Sequence, residues 1–129
     1  MIVLLGFYKR RPDLTWDQFS DHWRNVHGPL MRDTPEAARY IRRYVQHHIR
    51  PNPLSPGVAS LDFDGFSEAW FDSVESREKM HQQPIFKEIM YPDEAKFLDM
   101  TATRVSMIDA QFIQIGEAIV ISPRRWGFE

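Results

Sequence analysis

The chain contains no cysteine, so disulfides, thiolate metal sites and cysteine nucleophiles are all excluded. It also carries little net charge: 16 Lys and Arg stand against 18 Asp and Glu, a formal balance of -2. Such a chain has no field with which to gather phosphate backbones or anionic lipid, so neither nucleic acid nor a membrane is expected as a partner. Long apolar runs are missing as well. The amino-terminal stretch Ile2 to Tyr8 is too short for a secretory core or a membrane span, and cytoplasmic residence is the expectation. No Gly-rich phosphate loop, serine nucleophile elbow or HExxH is found, which removes the commonest cofactor-dependent and metal-dependent chemistries; no metal and no cofactor are expected.

What is present reads as one domain, since 129 residues with 43% hydrophobic content suffice for a single modest core. Ile2 to Tyr8 is predicted as a buried strand closed by Lys9, Arg10, Arg11 and Pro12. Thr15-Trp16-Asp17-Gln18 is a capping box, and Phe19, Trp23, Val26 and Leu30 follow at helical spacing, predicting a helix over Trp16 to His27 with Gly28-Pro29 as its stop. From Arg39 to Ile49 the period becomes two, a second strand. The segment from Pro51 to Gly65 is rich in proline and glycine and is expected as a long exposed loop, a possible lid. Phe66 to Phe71 resumes strand character, and Asp72-Ser73-Val74-Glu75 reads as a second capping box for a helix through about Gln82. A helical region broken at Pro84, from Ile85 to Leu98, leads to a last strand near Thr103 to Asp109. The order is βαββαβ. The expected architecture is α+β and ferredoxin-like, an antiparallel sheet with both helices on one face.

Alternation then distributes the strand residues. Burying Ile41 and Val45 under the helices sends Tyr44, Gln46 and His48 to the opposite, uncovered face, where Phe66, Glu68 and Trp70 of the third strand would join them. That mixture of aromatic and polar groups predicts a pocket, and a sheet face with no helix left to cover it predicts a homodimer. An apolar tail from Phe112 to Ile121 exceeds what the βαββαβ unit needs, so the chain divides into a domain over residues 1–109 and an extension over 110–129 expected to pack on the domain or on a partner.

Five stretches together resemble the EthD family: Lys9 to Thr15 with Phe19; His22-Trp23-Arg24-Asn25-Val26-His27-Gly28-Pro29-Leu30; Arg43 to His48; Asp64-Gly65-Phe66-Ser67-Glu68-Ala69-Trp70-Phe71; and, more weakly, Asp93-Glu94 with Phe97-Leu98-Asp99. The resemblance implies a dimeric α/β barrel whose relatives include methylmuconolactone isomerases and fungal polyketide dehydratases or decarboxylases, working without metal or organic cofactor. It also implies that a histidine at the end of the first helix and a tyrosine or histidine on the second strand face the cavity, which here are His27, Tyr44 and His48.

The expected function is therefore a cofactor-independent lyase, dehydratase-like, or an isomerase acting on a small aromatic or polyketide-like molecule. His27 would move a proton while Tyr44 and His48 polarise an oxygen; Trp23, Gln46, Glu68 and Trp70 would line the substrate site. The alternative is a non-catalytic subunit that binds or protects a metabolite in a degradation pathway. His22 and His27, five apart on a helix, are about 140° apart around its axis and are not expected to ligate one metal ion together. Glu68 is open to a structural pairing with an arginine, and His81 is expected to stand alone and exposed. Asp93 and Asp99 receive no role.

Overall fold

In the computed structural model, which describes residues 1–50 and 57–119, four strands alternate with helices in the order anticipated. Strands β1 (Ile2–Tyr8), β2 (Arg43–His48), β3 (Gly65–Phe71) and β4 (Arg104–Ile108) form one antiparallel sheet in the order β2-β3-β1-β4. This is an α+β ferredoxin-like fold. The sheet is open within the single chain.

Helix α1 (Trp16–His22) starts where the capping box places it: the Gln18 backbone N–H donates to Thr15 Oγ1 at 3.1 Å, and the Thr15 N–H donates to Gln18 Oε1 at 2.9 Å. The helix does not stop at Gly28-Pro29. It passes into a π-helical turn, Trp23–His27, closed by the Gly28 N–H on the Trp23 carbonyl, and continues as α2 (Gly28–Asp33) and a short α3 (Pro35–Ala38). Pro29 follows directly on this π turn and has no N–H to donate to the turn before it. After the sheet's third strand, α4 (Val74–His81) is capped by Ser73, whose hydroxyl accepts from the Ser76 N–H. The cap is one residue later than the sequence indicated, because the Asp72 carboxylate is occupied by Arg42 at 3.0 and 2.6 Å. A second π-helical turn, Phe86–Met90, runs into α5 (Tyr91–Phe97).

The helices cover the sheet face that carries Ile2, Leu4, Tyr44, Ala69 and Phe71, which pack with Met31, Ile41, Met80, Phe86 and Met90. A second cluster joins Phe19, Trp23, Phe97 and Leu98 beside Tyr8. Buried aromatics of this size each remove roughly 150–250 Å² from water, several kcal/mol apiece at about 25 cal/mol per Å². Trp23 reaches the sheet only because residue 65 is glycine: a Cβ there would lie 2.5 Å from the indole ring and 2.8 Å from the His47 carbonyl.

The expected sidedness of β2 is overturned. The chain bends at Arg42, outside the ladder, so Ile41 and Tyr44 both reach the core although they are an odd three positions apart. Alternation counted across that bend has the wrong phase. Tyr44, Gln46 and His48 pair with Ala69, Ser67 and Gly65 on the helix side, while Arg43, Val45 and His47 pair with Trp70, Glu68 and Phe66 on the open side. Phe66, Glu68 and Trp70 share one face as expected, but it is not the face of Tyr44.

Part of the expected lid, Pro51 to Pro56, and the tail from Val120 onward lie outside the described residues. Within the described tail, Phe112 is 81% and Ile115 is 97% exposed, so these side chains do not pack on their own domain. No described helix is long and apolar enough to cross a membrane.

Candidate functional site

A cavity of about 190 Å³ lies between the covered sheet face and the helices. Its floor is Leu4, Gly6, Tyr8, Tyr44, Ser67 and Ala69 from the sheet; its roof brings His27 from the first π turn, Arg77, Met80 and His81 from α4, and Phe86, Tyr91 and Glu94 from the second helical arm. Arg77, Met80 and His81 share one face of α4 by their spacing of three and four. Aromatic and aliphatic walls with a few polar groups aimed inward are the usual makeup of a small-molecule site, and an enclosed volume of roughly 150 Å³ already accepts one benzene ring.

His27 is the centre of the polar groups. Its side chain is buried, and Nδ1 lies 2.9 Å from Oδ2 of Asp93, itself 3% exposed. Nε2 of His22 lies 2.9 Å from the other oxygen of the same carboxyl group. The π turn makes this possible: i→i+5 bonding brings residues five apart onto nearly one face, whereas regular α-helical geometry separates them. His22 and His27 thus share one carboxylate as their partner, although five residues of regular α-helix would set them about 140° apart. An ionised Asp93 can only accept, so the neutral His27 ring holds its proton on Nδ1 and leaves the Nε2 lone pair free. That nitrogen faces Glu94, whose Oε1 is 3.9 Å away.

Burial pushes the His27 pKa below its ordinary 6.5, against the opposing pull of Asp93. Burial, helped by the Asp93 charge, raises Glu94 from 4.5 to about 7. The usual order of a glutamate below a histidine is thus compressed or reversed, and near neutral pH the cavity holds a neutral imidazole beside a carboxyl that carries its proton about half the time. Tyr8 and Tyr44 are pushed above the normal phenol range, mainly by burial, so both remain hydroxyl donors. The Tyr8 hydroxyl is 3.1 Å from Ser67 Oγ, and Tyr44 accepts from Trp23 Nε1 at 3.2 Å. A base, an acid and two phenols around one cavity are the parts needed to take a proton from carbon or oxygen and return one elsewhere.

Of the seven residues singled out from the sequence, His27 and Tyr44 meet in the cavity. Trp23 stands behind Tyr44 and orients its hydroxyl. Gln46 donates to the Trp23 carbonyl at 2.9 Å, bracing the π turn. His48 does not line this cavity: its ring is held by Ser20 Oγ at 2.7 Å and Gln46 Oε1 at 2.8 Å, packs at a tilt against Trp23 with centroids 4.5 Å apart, and has its pKa lowered by burial. Glu68 and Trp70 are on the opposite face. Glu68 is bonded to His47 at 2.6 Å with Arg43 at 3.9 Å, the structural pairing left open by the sequence. His81 is not solitary: Nδ1 is 2.7 Å from the Tyr91 hydroxyl, and burial brings its pKa down to about 4.

Asp93, Glu94, Tyr8, Ser67, Arg77 and Tyr91 carry no role in the sequence reading. For Asp93-Glu94 a signal existed, two adjacent acids just inside a helix after Pro92. Nothing local marked the others. Among the described residues no group of three or more His, Asp or Glu is arranged to hold a metal ion.

With this geometry in hand, comparison with known proteins is informative. A decarboxylase from Passalora fulva is 24% identical over 128 residues, covering 92% of this chain and 80% of its own length. A decarboxylase from Aspergillus novofumigatus is 28% identical, covering 92% and 82%, and a dehydratase from Ustilaginoidea virens 25% identical, covering 74% and 72%. Among solved structures, an EthD family protein from Bacillus halodurans superimposes with a TM-score of 0.62 at 22% identity, covering 86% of this chain and all of the other. A protein of unknown function from Bacteroides fragilis, described as dimeric and ferredoxin-like, gives 0.55 at 14% identity, covering 86% and 95%. The model of the EthD domain matches residues 11–101, most of the chain, and the protein belongs to the EthD family.

Proposed function

We propose that the chain is a cofactor-independent lyase or isomerase that acts by proton transfer on a small aromatic or polyketide-like molecule held between the sheet and the helices. The observation that carries this reading is the buried His27–Asp93 pair, which fixes the tautomer of His27 and leaves Nε2 free in a cavity that also holds Glu94. The names of relatives, decarboxylases and a dehydratase, support a lyase.

In this mechanism His27 removes a proton through Nε2 and Asp93 stabilises the imidazolium that forms. Glu94, about half protonated near pH 7 and more so below it, returns a proton to the leaving oxygen or to the carbon left by a departing carboxylate. Tyr8 and Tyr44 hydrogen-bond the oxygen on which negative charge develops. Every step uses groups of this chain alone. The working form is proposed as a homodimer formed through the open sheet faces, in keeping with neighbours described as dimeric.

The test is turnover of a panel of hydroxylated aromatic acids and cyclic β-hydroxyketones in deuterated buffer, read by mass spectrometry as loss of carbon dioxide, loss of water or uptake of deuterium. His27→Ala is expected to lower kcat by about 100-fold or more with KM changed only several-fold. Full activity in that variant would remove His27 from the mechanism. A wild-type protein that binds members of the panel and converts none would favour the non-catalytic binding role.

A further inference from the structure

Arg77 is the one lysine or arginine among the described residues that line the cavity. It is half-buried on α4, and among the described residues its guanidinium makes no hydrogen bond and no ion pair. Nearly every other arginine side chain in the fold is engaged: Arg10 with Asp64, Arg11 with Asp13, Arg42 with Asp72, Arg43 with Glu68 and Trp70, Arg50 with Asp17 and Trp16. A half-buried guanidinium at a cavity wall keeps its paired N–H donors available to an anionic group that enters.

Its surroundings show what that would be. Tyr8 and Tyr91 lie within electrostatic reach of both Arg77 and Glu94, which act on them in opposite senses. No ion pair joins Arg77 to Glu94 although both line the same cavity. His81, one helical turn on, stays neutral with its Nδ1 on the Tyr91 hydroxyl, so among the described lining residues of α4 the positive charge is that of Arg77. A fixed cation with phenol groups beside it is the recognition set for an acidic oxygen group, which the guanidinium meets with two parallel N–H donors.

We propose that Arg77 anchors a carboxylate of the ligand, and that the cavity selects small aromatic carboxylic acids over neutral analogues of the same shape. The proposal rests on the reading of this cavity as the substrate site, and it assigns the substrate class. It places the acidic group in the arm of α4, with the reacting part of the molecule towards His27. Arg77 is a binding residue here, and no bond to the anchored group is made or broken by it.

The experiment measures binding without turnover, using 2-hydroxybenzoate and its amide as one-ring probes, at pH 6 and low salt by ligand fluorescence or calorimetry. Wild-type protein is expected to bind the acid about tenfold to a hundredfold more tightly than the amide, the scale of one charge-assisted contact. Arg77→Gln is expected to abolish that preference while leaving amide affinity and Tm nearly unchanged, and Arg77→Lys to restore part of it. His27→Ala is expected to retain the preference, which separates this proposal from the catalytic one: loss of turnover in His27→Ala tests the base, loss of acid preference in Arg77→Gln tests the anchor. Equal affinity of wild type for acid and amide, a preference that survives Arg77→Gln, or binding of neither probe at millimolar concentration would each overturn it.

Discussion

A histidine paired with a carboxylate stands on each side of the sheet, one pair on its strands and one on the helices that cover it, and the two pairs differ in burial and surroundings. On the open face His47 bonds Glu68 at 2.6 Å beside Arg43, with the His47 ring stacked on Phe66 at 4.2 Å. Both side chains are partly exposed, so solvent and a cation compensate the carboxylate. On the covered side His27 and Asp93 are buried, among the described residues no lysine or arginine is paired with them, and the next carboxyl, Glu94, is forced up to about 7. The lesson is that a His–carboxylate contact becomes a candidate for proton transfer through burial and the groups around it, and distance alone does not separate the two cases.

The sharpest way to break this comparison is to neutralise each carboxylate in turn. Asp93→Asn should allow the amide to donate to His27 Nδ1, force the proton onto Nε2 and destroy the base, lowering kcat on the order of 100- to 10,000-fold, as wrong-tautomer variants of buried carboxylate–histidine pairs do. Glu68→Gln should leave kcat within a few-fold. Equal losses from the two variants, measured on one converted substrate, would show that both faces serve the chemistry.

The open face has a different expected role. Val3, Leu5, Phe7, Val45, Phe66, Trp70 and Ile108 share it around the His47–Glu68–Arg43 group, an apolar surface with a small charged centre. Trp70→Glu should convert a dimer to a monomer in light scattering at micromolar concentration, and deletion of Phe112 to Glu129 should weaken the dimer to a lesser extent. A wild-type protein that runs as a 15.3 kDa monomer would remove the interface altogether.

The smallest effect expected concerns pH. Glu94 binds its proton more tightly in the folded chain than in the unfolded one, so it costs stability progressively as pH rises from 4.5 towards 7. Glu94→Gln removes that cost. The Tm difference between variant and wild type should therefore grow in favour of the variant between pH 5 and pH 8, and a difference independent of pH would mean that the carboxyl is not strained in the cavity.

The fold was legible because its signals are local. The Thr15–Gln18 box, the alternation of β3 and the βαββαβ order each depend on residues a few positions apart. The site was only half legible. The bend at Arg42 reversed the face of Tyr44, and no residue pattern distinguishes i→i+5 from i→i+4 bonding at Trp23 to His27. Asp93 meets His27 across 66 residues of sequence, and Arg77 looks like any solvated helix arginine until the cavity is drawn around it.

Each half of the His27–Asp93 contact follows a π turn: His27 ends one, and Asp93 comes three residues after the other. Such a turn is the footprint of one extra residue in a helix. Removing a single residue from Trp23–His27 would restore regular bonding and swing His27 about 100° around the axis, leaving sheet and cap untouched. Chain length, counted to one residue, thus positions the His27–Asp93 contact as much as the identity of the histidine does, and a relative that keeps every side chain in the motif but lacks that insertion would inherit the fold without that contact.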